Sequence, residues 1–463
     1  MRLSRALRVC GKRLISATLI PSSHLASGIA VQLMNEYNLS QEVGTLAISL
    51  FVAGYCVGPL LWGPLSEQYG RRPTLLYPFI IYTIFQVAAA VAKNGASLLV
   101  FRFLGGVFAS APLTNTGGVI SDIWDAGTRG KAMALFTLGP FAGPTIGPTI
   151  AGFIGMGTNF RWVFWVLAIF AGVCTILIAF TLPETYAPVL LAKSAHEKRK
   201  ETGDPRFYAP METKKVSILE RVENVLARPF KILFREPMLL AITLYMSFVY
   251  GCLYLLFEAY PIVFTEGHHL NAGTSGLMFL PIMVGATTAV TLAVLVFNPR
   301  YEREVARLAP DAVPPEFRLE MALFGAPVYA VAFFWFGWTS YPSITLWAPL
   351  MSGFFSGFGI SWIFLPLFNY IIDTYLFVAA SALAATTVVR SIFGAVFPLF
   401  ATQMYTALGP RWASSLLGFV ALVMIPIPFV LKRFGPTIRA KSRYAPSKPR
   451  SPAAVKGDDK GTI

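Results

Sequence analysis

Charge is what this chain has least of. Asp, Glu, Lys and Arg make up 13% of its 463 residues, about half the share of a soluble globular protein, which argues against a water-soluble fold. The four cysteines, Cys10, Cys56, Cys174 and Cys252, are scattered with no CxxC spacing. They suggest packing residues rather than a disulfide framework or a thiolate metal site. The four histidines, His24, His196, His268 and His269, form no HExxH pattern, and no GxxxxGK[ST] loop occurs. Zinc hydrolase chemistry and direct ATP drive therefore lack their usual groups. The expectation is a protein that is not an enzyme, with no cofactor and no metal.

What remains is 55% hydrophobic and arranged in uncharged runs of about 20 residues or more, each long enough to cross a bilayer as a helix. Spans are expected at 14–34, 43–65, 74–92, 97–121, 132–156 and 161–182, then at 238–264, 272–297, 319–339, 343–370, 374–406 and 411–433. This gives an all-α integral membrane protein: a six-helix bundle over 1–182, a charged central loop over 183–237, a second six-helix bundle over 238–433 and a disordered basic tail over 434–463. The net charge of +15 follows from where the basic residues fall. Lys93, Arg161 and Arg411 lie on one side, Arg102 and Arg390 inside spans, and the other 33 of the 38 lysines and arginines on the opposite side. That bias puts both termini in the cytoplasm and leaves no role for nucleic acid.

The ends and the middle are less regular. The first span holds Pro21, His24 and several hydroxyls, and follows the basic start MRLSRALRVCGKR. A cleaved signal peptide is disfavoured, because LISATLI is short and no clear cleavage site follows. In the central loop, Ile218, Leu219, Val222, Val225 and Leu226 share one helical face. This fits a short helix on the inner membrane surface, with Arg228 and Lys231 near lipid phosphates, or a solvated linker helix. Asn38-Leu39-Ser40 is a glycosylation sequon in an expected outer loop.

Two stretches stand out. GPLSEQYGRRP, residues 63–73, combines Gly63, Leu65, Glu67, Gly70, Arg71 and Arg72 in a tight loop between spans two and three. Glu67 could pair with Arg71 or Arg72, or sit at a helix N-terminus. LGPFAGPTIGPTIAG, residues 138–152, repeats Gly-Pro at Gly139-Pro140, Gly143-Pro144 and Gly147-Pro148, with Gly152 closing the run. Each step of four advances the helix by about 400°, so the glycines form one slowly drifting stripe. Pro144 and Pro148 free backbone carbonyls four residues back, which suits a kinked helix packed closely on a neighbour.

Both stretches resemble signatures of the major facilitator superfamily. GPLSEQYGRRP resembles its loop G-x-L-(A/S)-(D/E)-x-x-G-R-(R/K). LLVFRFLGGVFASAP, 98–112, resembles its fourth-helix motif, and LGPFAGPTIGPTIAG its fifth-helix antiporter motif, with Ala151 where a closing glycine usually stands. RPFKILFREP, FEAYPIVFTEGHHLNAG and FPLFATQMY look like the fungal twelve-span drug:proton antiporter branch, which includes multidrug and polyamine exporters. The resemblance implies two bundles around a central cavity, alternating access by rocking, proton coupling at Arg102, and export rather than import. It also implies a fuller first helix than 14–34 provides, so a short or truncated first helix and impaired transport are expected alternatives, beside an importing symporter of the same superfamily.

Candidate residues follow from charge inside spans, which is costly unless it faces the bundle interior. Arg102 precedes Gly106, Ser110, Thr114 and Gly117 at near-helical spacing, a small polar stripe; the plain alternative is an arginine snorkelling to the headgroups. Glu258 is the only acid well within a span and shares a face with Ser247, Gly251 and Tyr254. It is a candidate proton carrier or counter-charge for a cationic substrate, or else a structural acid bonded to a neighbouring helix. Arg390 shares a face with Thr386, Thr387 and Gly394 and could pair with an acid. Asp373 is expected to cap the helix of span eleven. The aromatic spans seven and ten suit flat or cationic compounds. The reading is a monomeric exporter of a drug, polyamine or secondary metabolite in the plasma membrane, exchanging its small-molecule substrate for protons.

Overall fold

The computed structural model describes residues 28–124, 126–213, 223–309, 311, 313–375 and 378–444. No strand occurs among them. The helices of the first half are α1 (Ala30–Tyr37), α2 (Gln41–Tyr69), α3 (Arg71–Ala90), α4 (Gly95–Ile123), α5 (Ala126–Gly157) and α6 (Arg161–Thr181). After the linker come α7 (Pro237–Gly267), α8 (Ala272–Leu308), α9 (Pro315–Thr339) and α10 (Trp347–Thr374). A last rod, Ala379–Ala440, breaks at Gly409, whose φ of 72° and ψ of 159° are non-helical. Gly409 precedes Pro410 and separates α11 (379–408) from α12 (410–440). Nine of the helices among the described residues are long and apolar enough to span a membrane, that rod counted once.

The expected first span, 14–34, lies largely outside the described residues. Its described end is helix α1, which runs past 34 to Tyr37. Three other expectations change. The stretch 63–73 is not a loop: α2 stays helical to Tyr69, and Gly70 alone turns the chain into α3. In the central segment, Ala187–Thr202 and Arg228–Arg235 are helices, most of the amphipathic stretch 216–226 lies outside the described residues, and Lys231 bonds Glu223 rather than standing free for a phosphate. The tail is helical from 434 through Ala440, because Leu431 and Gly435 are buried and Arg439 has an acid to meet.

Within the first bundle α2 packs on α4, and α3 on α4 and α6; within the second, α7 packs on α11, and α10 on α8 and α9. Between the bundles α2 meets α11 and α5 meets α8. Lipid offers helices little hydrophobic reason to associate, so close approach through small residues does the work. A Cβ at Gly106 would run into the Phe51 carbonyl, one at Gly58 into Ser110 Oγ, and one at Gly357 into the Ile282 carbonyl. These contacts bring backbones together in both bundles. Helix α7 is buried on nearly all sides, Tyr245, Phe248, Tyr250, Tyr254 and Phe257 included. Its rings are interior packing rather than lipid-facing surface.

Candidate functional site

The turn between α2 and α3 shows why the basic signature residues stand where they do. Gly70 has φ 96°, a region that an L side chain rarely adopts, and a Cβ there would strike the Glu184 carboxylate. Glu184 accepts from the backbone N–H of Arg71 at 2.9 Å and of Arg72 at 3.1 Å. A carboxylate thus closes the N-terminus of α3, where the helix dipole favours it. The Arg71 side chain donates to Asp122 Oδ2 at 3.0 Å and Ser66 Oγ at 2.7 Å and stacks on Tyr186. Arg72 donates to the Ala179 carbonyl. Gly63 and Leu65 lie on the last turns of α2. Glu67, the acid expected to pair with these arginines, is exposed, and the partners are Asp122 and Glu184. Sequence reasoning missed both, although each ends a membrane helix on the side crowded with bases.

Arg102 is fully interior, 1% exposed, so it does not snorkel. Its Nε donates to the Ala47 carbonyl on α2 at 2.9 Å, and its guanidinium lies 4.3 Å from the Phe51 ring centroid. Tyr55, one turn on from Phe51, is buried and packs edge-on against the Phe51 ring. The upper part of the stripe that follows Arg102, Gly106 and Ser110, forms the seam with α2, while a Cβ at Gly117 would meet open space. Ser110 is buried against Gly58 and donates to its own helix at Val107. Thr114 lies beside Gly63 and bonds the Ser110 carbonyl.

Arg390 is 6% exposed and sits among rings from two helices. Its guanidinium carbon lies 4.7 Å from the Tyr250 centroid, 5.7 Å from Phe364 and 5.5 Å from Phe368. Arg390 Nε is buried with no hydrogen-bond acceptor among the described residues. Tyr250 bonds Tyr254 through their hydroxyls at 3.1 Å. Thr386, one turn below Arg390, shares a 3.0 Å hydrogen bond with Thr243, which fixes the register of α11 on α7. Ser247, one turn above Thr243, is buried with its hydroxyl unpartnered among the described residues.

Glu258 is half-buried and accepts from Thr402 Oγ1 at 3.4 Å. It does not reach Arg390: Thr402 lies twelve residues along α11, about 18 Å of helix. Asp373 does not cap α11, because it forms a 3.0 Å ion pair with Arg318. Arg439, assigned by the sequence to the disordered tail, makes a bidentate pair with buried Glu316 at 2.9 Å on both arms. Asn38 is exposed and turns from α1 into α2 at φ 49°, while the sequon's Ser40 hydroxyl caps α2 at Val43.

The Gly-Pro run lies inside the single continuous helix α5, with Gly139, Pro144, Gly147, Pro148 and Gly152 buried and Gly143 half-buried. Pro140 belongs to the same helix. The run's far end presses on the start of α8. A Cβ at Gly152 would collide with the Ala272 carbonyl, and one at Gly276 would lie 2.6 Å from the Pro148 carbonyl. Thr149 Oγ1 donates to the Gly276 carbonyl at 2.8 Å. The two bundles meet here backbone to backbone.

Comparison with known proteins agrees with this architecture. The sequence profile described as Major Facilitator Superfamily matches residues 14–398. The chain is 44% identical over 93% of its length to the multidrug transporter mdrA of Aspergillus fumigatus, covering 70% of that protein. It is 42% identical over 92% of its length to the citrinin biosynthesis cluster transporter mrr1 of Monascus ruber, covering 85% of it. In structure it resembles the proton:xylose symporter XylE, with a TM-score of 0.64 at 16% identity over 93% of this chain and 95% of that one. It also resembles the human organic anion transporter MFSD10, with a TM-score of 0.62 at 15% identity over 90% and 99%. These likenesses at low identity establish the fold. With the sequence matches, they identify an integral membrane transporter rather than an enzyme, and the chain belongs to the Major Facilitator Superfamily.

Proposed function

We propose that the chain exports small organic compounds from the cytoplasm in exchange for protons, as a monomer in the plasma membrane with both termini inside. Relatives described as a multidrug transporter and as an efflux pump support the direction. The observation that carries the reading is the α5–α8 seam, where the Gly-Pro run meets Gly273 and Gly276 through backbone contacts and one threonine hydrogen bond. A seam of that kind can part without stranding a charge, as alternating access by rocking requires. Drug, polyamine and secondary metabolite are the substrate classes considered. Glu258 is the proton carrier in this scheme: a partly buried carboxyl with one weak hydroxyl partner, free to change protonation as the cavity changes sides.

Reconstituted vesicles loaded with a panel of labelled aromatic acids, amines and neutral compounds test the scheme. An imposed pH gradient should drive accumulation of at least one of them, and accumulation that ignores the gradient would sink the coupling. Glu258→Gln should flatten the pH dependence of transport while leaving the protein folded. An unchanged profile removes Glu258 as the carrier.

A further inference from the structure

The aromatic walls of α7 and α10 look suited to a cationic compound, but the cation that they hold is the protein's own. Arg390 fills the space between Tyr250, Phe364 and Phe368. Ring faces offset part of the cost of burying a cation, yet they give a guanidinium's in-plane N–H groups nothing to donate to. Nε has no acceptor, and no ion pair is made by Arg390 among the described residues. Glu258, on the same helix as Tyr250, is engaged by Thr402 about 18 Å further along α11. Other acids in the second bundle, Glu316, Asp373 and Glu236, are taken up at the linker end by Arg439, Arg318 and the Arg443 backbone with Tyr375. Arg390 is thus a buried cation with the carboxyl of Glu258 well away from it.

Polar groups near this arginine are likewise unmet. Ser247, placed one turn above the Thr243–Thr386 bond, carries a buried hydroxyl without a partner among the described residues, and so does Ser391 beside Arg390. Across the bundle boundary the buried Tyr55 hydroxyl is also unpartnered among the described residues, one turn along α2 from Val52. Gly394 leaves Tyr250 and Val52 of α2 in close approach, so the group lies where α2 meets α11. We propose that Arg390 binds the carboxylate of an organic anion carrying an aromatic ring, with the Tyr55 and Ser247 hydroxyls as further donors. The transported compound is then an aromatic acid rather than a cationic drug or polyamine. A carboxylate accepts two parallel N–H bonds from a guanidinium, the strongest pairing open to this side chain, and a flat ring packs against the rings of Phe364 and Phe368 beside it. Because the donors come from both bundles, the anion is held only while α2 and α11 are together.

This inference rests on the export reading for its physiological route, but its test is binding alone. The full chain in lipid nanodiscs at pH 7 is titrated calorimetrically with 2-naphthoate and with its neutral isostere 2-naphthamide. Naphthoate should bind roughly tenfold to a hundredfold tighter, the range expected of a charge-assisted pair. Arg390→Gln should abolish that preference, and Arg390→Lys, which keeps the charge but loses the fork, should retain only part of it. Equal affinity for acid and amide, no naphthoate binding, or a preference that survives Arg390→Gln would overturn the assignment. Should Arg390→Gln fail to fold, an undiminished preference in Arg390→Lys would overturn it as well. A protein that prefers the acid but exports nothing would remove the transport reading and leave the anion site standing.

Discussion

Arg102 in the first bundle and Arg390 in the second are both buried, and both lie against aromatic rings. They differ in what meets their nitrogens. Arg102 is tied to the α2 backbone through the Ala47 carbonyl at 2.9 Å, in a bundle whose linker-end arginines are also held by Asp122, Ser66 and a helix carbonyl. Arg390 has rings but no acceptor for Nε among the described residues. At Nε, the same residue type at similar burial thus makes a helix-to-helix tie in one half and finds no acceptor among the described residues in the other. Burial alone does not mark a functional charge; the informative quantity is whether its hydrogen bonds are already made.

The comparison breaks most completely if the seam holding Arg102 is forced open. A valine at Gly106 would place its Cβ inside the Phe51 carbonyl, and backbone cannot yield as a flexible side chain can. Gly106→Val should push α2 away from α4, separate Arg102 from Ala47 and cost about 3 kcal/mol or more, the upper end for overpacking a close interface. Loss of monodisperse protein on size exclusion, or a large fall in thermal midpoint, is the expected outcome. A variant as stable as the parent would mean that the crossing has slack and that the Arg102 tie is incidental.

Exchanging each arginine for glutamine sharpens the contrast at smaller cost. Arg102→Gln removes a charge-assisted hydrogen bond and should lower stability by about 1–3 kcal/mol. Arg390→Gln removes a buried cation that has gained little in return, so the thermal midpoint should hold or rise, since an uncompensated charge is itself destabilising. Melting both variants beside the parent in one detergent checks this. An equal fall for both would erase the distinction between tie and binding group.

Much of the fold was legible because a bilayer demands long uncharged runs and concentrates bases on one face. The helices near 43–65, 161–182 and 238–264 needed no partner information. What stayed hidden depends on which helix lies beside which. The stripe Gly106, Ser110 and Thr114 is readable as a small-residue face, but sequence does not say whether that face meets a cavity or α2. Arg439 falls in a stretch that reads as a disordered basic tail, and its partner Glu316 is more than a hundred residues away in sequence. Arg390 was visible as a charge within a span, whereas its missing acceptor is a property of three helices at once. The Gly-Pro run is readable as a narrow face because its repeat is four, and its closing Gly152 sits backbone to backbone on α8.

The smallest effect distinguishes the acids at the α2–α3 turn. Glu67 sits in the resemblance motif, yet it is exposed, and Glu184, outside that motif, accepts the N–H groups of Arg71 and Arg72. Glu184 closes the N-terminus of α3 through these N–H groups, while Asp122 holds the Arg71 side chain. Glu184→Gln keeps the shape but leaves one acceptor oxygen where the carboxylate takes the N–H groups of Arg71, Arg72, Thr185 and Tyr186, and should cost about 1–2 kcal/mol and loosen the Gly70 turn. Glu67→Gln should stay within about 0.5 kcal/mol of the parent, as exposed substitutions do. Thermal unfolding of the two variants in parallel reads the difference. A larger loss for Glu67→Gln would show that the motif acid works in a conformation other than this one, with Arg71 or Arg72 released from its present partners.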